Sequence, residues 1–378
     1  MSSAQVTAWK WLRNGDEAFP AMLTAIDGAL SSVRLETYHF ANDELGLRFR
    51  EALVRAAQRG VAVRVLVDAV GSIGLPDSFW LPLRAAGGQA REFNPIALRR
   101  ASIRNHRKLL ACDGRVAFIG GFNMSKDYEG DGITRGWQDL GLQIEGPLVG
   151  ELESSFEAMF GLADFRHKRL VRLHPAPHKH TVASANEQLL LGGPGLGRNP
   201  IRRALLRDIR HARRIELVQA YFLPTWGIRR GLARAARRGH QVQMILAGKS
   251  DVAISQLAGR SLYQRFLRAG AALHEYSPQV LHAKLIIADN AVYVGSANLD
   301  SRSLSINYEL MIRFEHASMV AEAREIFMAM LPNSQRIDPK TWKRSRSFWT
   351  RLKERWAYFF LSRVDPRLAR WQWQSLPD

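Results

Sequence analysis

The sequence holds one cysteine, Cys112, in 378 residues, so no intrachain disulfide can staple the fold. A single thiol fits a reducing compartment. Cys/His sets with zinc-ligand spacing are lacking, and no metal or other cofactor is implied. Uninterrupted apolar runs of 18 or more residues are also lacking, which argues against a bilayer-spanning helix. The first residues, with Lys10, Arg13, Asp16 and Glu17, contain no signal-peptide core. A cytoplasmic protein is the expectation, with attachment to a membrane surface open. Acidic residues are scarce too: 35 against 54 Lys and Arg, a formal charge of +19. Such a field attracts polyanions, whether nucleic acid, anionic lipid or phosphorylated substrate. With 46% hydrophobic residues the chain can bury a sizeable core, so a disordered protein is excluded.

What the chain does have is an internal repeat. VRLETYHF (33–40) reads as a strand, Glu44–Arg59 as an amphipathic helix stopped by Gly60, and VAVRVLV (61–67) as a second strand. The same order returns in IELVQAYFL (215–223), the helix at 228–238 stopped by Gly239, and QVQMILA (241–247). Each half continues with a helix (around 82–86, and 254–269), a short strand (90–93, 272–276) and a His-x-Lys strand. Alternating strands and helices predict an α/β fold: two repeats, each a mixed sheet flanked by helices. The expected divisions are 1–173 and 198–334 for the repeats, a Pro/Gly-rich linker at 174–197, and a basic aromatic tail at 335–378. HPAPHKH (174–180) and LGGPGLG (191–197) read as linker rather than as metal or phosphate sites.

The chemistry sits in NHRKLLACDGRVAFIGGFN and LHAKLIIADNAVYVGSAN. These give His106, Lys108, Asp113, Gly121 and Asn123 in one half, and His282, Lys284, Asp289, Ser296 and Asn298 in the other. A lone His-x-Lys is a weak pattern, but two copies with matched Asp, Gly and Asn are a strong one. Residues two apart on a strand share a face, so each His and Lys project together. Polar groups there are expensive to bury without partners, and a facing pair from the other half would supply them. The glycines allow close backbone approach, and an Asn amide can donate to a phosphoryl oxygen.

With these motifs the chain resembles the phospholipase D superfamily, marked by a duplicated H-x-K-x4-D motif, and within it the bacterial cardiolipin synthases. The similarity also covers NGDEAF (14–19), LETYHF (35–40), RGVAVRVLVD (59–68), WQDL (137–140), YFLP (221–224) and NYEL (307–310). It implies two halves packed about a pseudo-twofold axis with one site between them, and two-step displacement at phosphorus. One histidine would attack, His106 by resemblance, and His282 would serve as acid and base. Lys108, Lys284, Asn123 and Asn298 would stabilise the phosphoryl oxygens. Asp139 and Glu309 are the candidate carboxylates that orient the histidines. Asp113 and Asp289 complete the motif and are counted with the site, although their place beyond apolar strand residues suits a turn. Glu36, Tyr38, Tyr221, Gly121 and Ser296 are expected around the substrate. Gly120-Gly121 departs from Gly-Ser, and Gln219 stands where Thr is expected.

From Trp342 to Gln372 nine basic residues face two acidic ones. Trp342, Trp349, Trp356, Phe359 and Phe360 recur at helical spacing, as in a helix lying in a lipid interface. The leading expectation is a peripheral enzyme on the cytoplasmic face of the membrane, joining two phosphatidylglycerol molecules into cardiolipin and glycerol. A lipid hydrolase or a nuclease is the alternative, although nucleic acid suits the tail less well. A non-catalytic membrane-binding scaffold is the other, which two intact motifs argue against. The sequence leaves the oligomeric state open.

Overall fold

Alternation along the motif strands sets the layers. In LLAC (109–112), Leu109 and Ala111 enter one core cluster, while Leu110 and Cys112 enter another. In KLIIA (284–288), Leu285 and Ile287 join that same first cluster, and Ile286 and Ala288 join a third. The period of two thus sends one face of each motif strand into a core common to both halves, and the other face under its own helices. The computed structural model describes residues 7–95, 103–163, 180–184, 186–195 and 198–364.

The first half runs β1 (Ala8–Leu12), α1 (Gly15–Asp27), β2 (Ser32–Thr37), α2 (Glu44–Gln58), β3 (Ala62–Asp68), α3 (Leu81–Ala85), β4 (Gln89–Phe93), β5 (Leu109–Cys112), β6 (Val116–Gly120), β7 (Gly141–Glu145) and α4 (Leu148–Gly161). The second runs β8 (Thr181–Ala183), β9 (Glu187–Gly192), α5 (Pro200–His211), β10 (Arg214–Gln219), α6 (Trp226–Arg237), β11 (Gln241–Ala247), α7 (Ala253–Arg260), α8 (Tyr263–Arg268), β12 (Ala272–Tyr276), β13 (Lys284–Ala288), β14 (Ala291–Gly295), β15 (Glu309–Phe314), α9 (Ala317–Met330), β16 (Ser334–Arg336), α10 (Pro339–Arg344) and α11 (Phe348–Phe359).

The first sheet is ordered β1-β7-β6-β5-β2-β3-β4, and β9-β15-β14-β13-β10-β11-β12 repeats it in the second. Both are mixed: β2, β3 and β4 are parallel, as are β10, β11 and β12, and the motif strands β5 and β13 join antiparallel. Local chemistry agrees with this order. Asn14 caps α1 by accepting from Glu17 N, and Glu17 Oε2 accepts in return from the N–H of Arg13, just before the cap. Gly60 and Gly239 end α2 and α6 at φ +86° and +81°, where a side chain would be strained.

Two expectations need correction. The linker is shorter than 174–197, because β8 and β9 lie within that span and β9 is the second half's counterpart of β1. Its apolar stretch Leu189–Leu191 is buried against β15, which a linker would not be. Most of HPAPHKH lies outside the described residues. The single helix expected over 254–269 is broken into α7 and α8.

Candidate active site

The two halves meet through strand-like pairing just before each motif strand. His106 N donates to Tyr308 O (2.9 Å), and Tyr308 N donates to Arg104 O (2.9 Å). Its counterpart across the pseudo-twofold is His282 N donating to Gln138 O (2.8 Å), with Gln138 N donating to Val280 O (2.8 Å). This pairing lays each His-x-Lys motif beside the segment that opens β15 or precedes β7 in the opposite half.

The carboxylates are therefore exchanged. His106 Nδ1 lies 3.2 Å from Glu309 Oε2, and His282 Nδ1 lies 2.6 Å from Asp139 Oδ2. Glu309 and Asp139 are fully buried. Burial works against their ionisation, yet His106 and Lys108 hold Glu309 below its ordinary range, and His282 and Lys284 do the same for Asp139. An ionised carboxylate only accepts, so it favours the proton on Nδ1 and leaves Nε2 as the acceptor, which at His282 also lies 3.1 Å from Lys284 Nζ. Burial lowers the pKa of both histidines, that of His282 to about 4. The imidazoles are neutral near pH 7, which suits a nucleophile.

Between the histidines lies a cavity of about 430 Å³. His106, His282, Asn123, Asn298, Tyr38 and Tyr221, all singled out in the sequence, line it together with Arg104, Tyr128, Trp137, Asp251, Asp300 and Arg302, which sequence reasoning did not single out. The Tyr38 ring is 5.1 Å from the His106 ring; Tyr128, Trp137 and Tyr221 surround His282 at 5.2, 5.9 and 6.3 Å. Burial raises the pKa of Asp300 to about 6. Trp137 was in view in WQDL, but nothing in its spacing distinguishes it from a core tryptophan.

The lysines sit behind the histidines rather than in the cavity wall. Lys108 Nζ donates to His106 O (2.9 Å), and Lys284 Nζ packs against the His282 ring and donates to His282 O. Burial pulls their pKa values down, to about 7 for Lys108 and about 8 for Lys284. Asn123 spends its amide on Tyr128 Oη (2.6 Å), whereas Asn298 borders the cavity with Oδ1 unpaired.

Five expected residues act elsewhere. Asp113 and Asp289 lie about 16 Å along the strand from their lysines, five residues at the rise of extended chain, in turns where their own φ is +57° and +49°. Asp113 accepts from the backbone of Leu30, Ser31 and Ser32, and Asp289 from Arg213 and Arg214. They pin the start of β2 and β10, outside the reacting centre. Glu36 faces away from the cavity: it accepts from Asn105 Nδ2 (2.7 Å) and pairs with Arg107 (3.1 Å). Gly121 and Ser296 serve the carboxylates. A Cβ at Gly121 would fall 2.1 Å from Asp139 Oδ1, and the Ser296 hydroxyl donates to Glu309. The Gly-Gly departure is thus matched by the shorter Asp in that half.

The tail divides. Trp342 is half-buried, its ring 5.0 Å from Tyr263 and under Arg346, so it packs on the body and leaves less of its ring free than the other tail aromatics. Trp349, Trp356, Phe359 and Phe360 are exposed, at 68, 65, 51 and 45%. Ala357 of α11 packs with Leu223 and Ala258, and Leu361, just after α11, reaches the cavity rim.

Comparison with known proteins agrees with this geometry. The model of the cardiolipin synthase family's PLD-like domain matches residues 22–160 and 205–331, one span in each half. The chain belongs to this family, within the phospholipase D superfamily. Among family members it is 32% identical to cardiolipin synthase B of Salmonella typhi, over 95% of this chain and 89% of that one. It is 31% identical to cardiolipin synthase 1 of Bacillus cereus, over 97% and 74%. The fold matches phosphatidylserine synthase from Haemophilus influenzae with a TM-score of 0.74 at 12% identity, covering 96% and 94%. Among the described residues, no helix is long and apolar enough to cross a membrane.

Proposed function

We propose that this phosphatidyltransferase joins two phosphatidylglycerol molecules to give cardiolipin and glycerol through a covalent phosphohistidine. The observation that carries the reading is the pair of carboxylate-held histidines opposed across one cavity whose rim reaches the aromatic tail. His106 Nε2 attacks the phosphorus of the donor and forms a P–N bond. The P–O bond to the headgroup glycerol breaks, and His282 Nε2–H gives its proton to the departing oxygen. His282 then removes the proton from the hydroxyl of a second phosphatidylglycerol, whose oxygen displaces His106 and forms the new P–O bond. The anionic phosphodiester supplies the charge that raises His282 from its low free-enzyme pKa, so that it carries the proton when needed. Asn298 and Arg302, bordering the cavity, suit the non-bridging oxygens.

The enzyme works as a peripheral protein on the cytoplasmic face of the membrane, with the exposed aromatics of the tail in the headgroup layer. Incubation with labelled phosphatidylglycerol vesicles followed by mass spectrometry tests the proposal. Cardiolipin plus glycerol is the expected result. Phosphatidic acid alone would replace transfer by hydrolysis, and DNA cleavage without lipid turnover would replace it by nuclease activity.

A further inference from the structure

A second, larger depression of about 1010 Å³ lies between α5 and α6, away from the catalytic cavity. Eight arginines line it, among them Arg203, Arg207 and Arg210 of α5, Arg230 and Arg234 of α6 and Arg238 at its C-cap, and no carboxylate does. All eight are exposed, and among the described residues only Arg207 has a carboxylate partner, Asp208. On α6 the arginines recur every four residues, which places them on one helix face. Small residues bring the two rows together: a Cβ at Gly231 would come within 2.9 Å of Ile209, and one at Gly227 within 3.1 Å of Leu206.

The fold does not call for this charge. In the first half α1 and α2 occupy the equivalent place, and there the charges are mixed: α1 carries Asp16, Glu17 and Asp27, and Arg55 of α2 pairs with Asp27 at 2.9 Å. Crowding unpaired arginines along one groove opposes folding through their mutual repulsion, a cost relieved when anions enter.

We infer that the α5–α6 groove is a binding site for the phosphate groups of anionic phospholipids at the membrane surface, separate from the catalytic cavity. Its neighbours favour a bilayer as the source of the anions. Trp226, 62% exposed, stands at the groove with Arg230 over its ring at 4.9 Å, an aromatic and cationic pair suited to the headgroup layer. On the same helix, Arg229 donates to Tyr358 Oη of α11, so α6 carries the groove and also touches the helix that bears the exposed tail aromatics. Aromatic insertion and headgroup binding thereby flank one element. The inference rests on the reading that this enzyme works at a lipid surface, and each arginine near such a surface adds to attraction that salt screens.

The test compares the full chain with R203Q/R230Q/R234Q/R238Q and with a control that removes equal charge from the first half, R55Q/R84Q/R91Q/R115Q. Cosedimentation is measured with phosphatidylcholine vesicles containing phosphatidylglycerol, and turnover with monomeric short-chain phosphatidylglycerol. The groove variant is expected to bind vesicles more than tenfold more weakly, with a shallower salt dependence and unchanged turnover; the control is expected to bind nearly as the parent does. Undiminished vesicle binding by the groove variant, or an equal loss in the control, overturns the inference. So does loss of DNA binding by the groove variant with vesicle binding retained, which would assign the groove to nucleic acid. Absence of short-chain turnover in the parent, with vesicle binding still lost in the groove variant, would sink the transferase reading and leave the groove standing.

Discussion

His282 Nδ1 and Asp139 Oδ2 lie 2.6 Å apart although 143 residues separate them, and His106 reaches Glu309 across 203 residues in the opposite sense. Each half holds the ring of the other. Asp139→Asn and Glu309→Gln preserve size but offer the wrong hydrogen-bonding group to Nδ1, which favours the wrong tautomer. Each should lower kcat by about 10²- to 10⁴-fold, by analogy with triad orienters. Steady-state turnover, with circular dichroism to verify folding, checks this; activity within a few-fold of the parent would remove the carboxylates from the mechanism.

Gly121→Ser should be inactive even though its counterpart in the second half is already Ser296. A Cβ at position 121 falls 2.1 Å from Asp139 Oδ1, so the carboxylate must leave His282. Ser296→Gly removes a donor to Glu309 and an acceptor for Leu310 N but leaves the carboxylate in place, and a loss of about tenfold is expected from such bonds. Parallel kcat measurements would expose any reversal of that order.

Buried histidines also make stability depend on pH. The His282 pKa is depressed to about 4 in the folded chain against an ordinary 6.5, so the unfolded chain binds the extra proton first. The stabilisation is complete above about pH 6.5 and is lost as pH falls toward 4, by up to about 3 kcal/mol. Denaturant unfolding of His282→Gln should be flatter over that window than the parent. An equal slope in both proteins would contradict the assignment.

Loss of Asp113 or Asp289 should destabilise rather than inactivate. Each carboxylate accepts several backbone N–H bonds that pin a turn, and Ala should cost about 1–3 kcal/mol. Under conditions where the variants remain folded, kcat is expected within a few-fold of the parent. A collapse of kcat with unchanged unfolding midpoint would return both residues to the reacting centre.

The tail offers a paired comparison. Trp342→Ala opens a gap against Tyr263 and should lower stability by about 2 kcal/mol, with little effect on vesicle binding. Trp349→Ala with Trp356→Ala removes exposed rings and should weaken vesicle binding with little change in unfolding midpoint. Calorimetry and cosedimentation separate the two outcomes.

The repeat and the succession of strands and helices within it were legible because apolar alternation and helix stops are local. His106 and His282 stood out because the motif is duplicated, and Asp139 of WQDL and Glu309 of NYEL because each follows the histidine of its own half at a similar distance. Which carboxylate serves which histidine was not, since that depends on how Tyr308 and Gln138 pair across the interface, a non-local register that spacing cannot encode. The linker misreading had a similar origin: LGG looks like a flexible stretch until β15 is available to pair with it. Glu36 was expected at the substrate through the resemblance of LETYHF alone, yet its partner Arg107 lies within the first motif itself. Trp342 and Trp356 share one helical stripe in the sequence, and only the presence of Tyr263 beneath one of them separates their roles.

The exchanged carboxylates also bear on the order in which the chain is made. Asp139 leaves the ribosome long before His282, and His106 long before Glu309. No partial product of synthesis therefore holds a complete acid–base set until position 309 has been reached and the second sheet has docked. On the proposed mechanism, a nascent chain of this kind carries its nucleophile unarmed through most of translation, and reactivity toward phosphodiesters begins only with a finished fold.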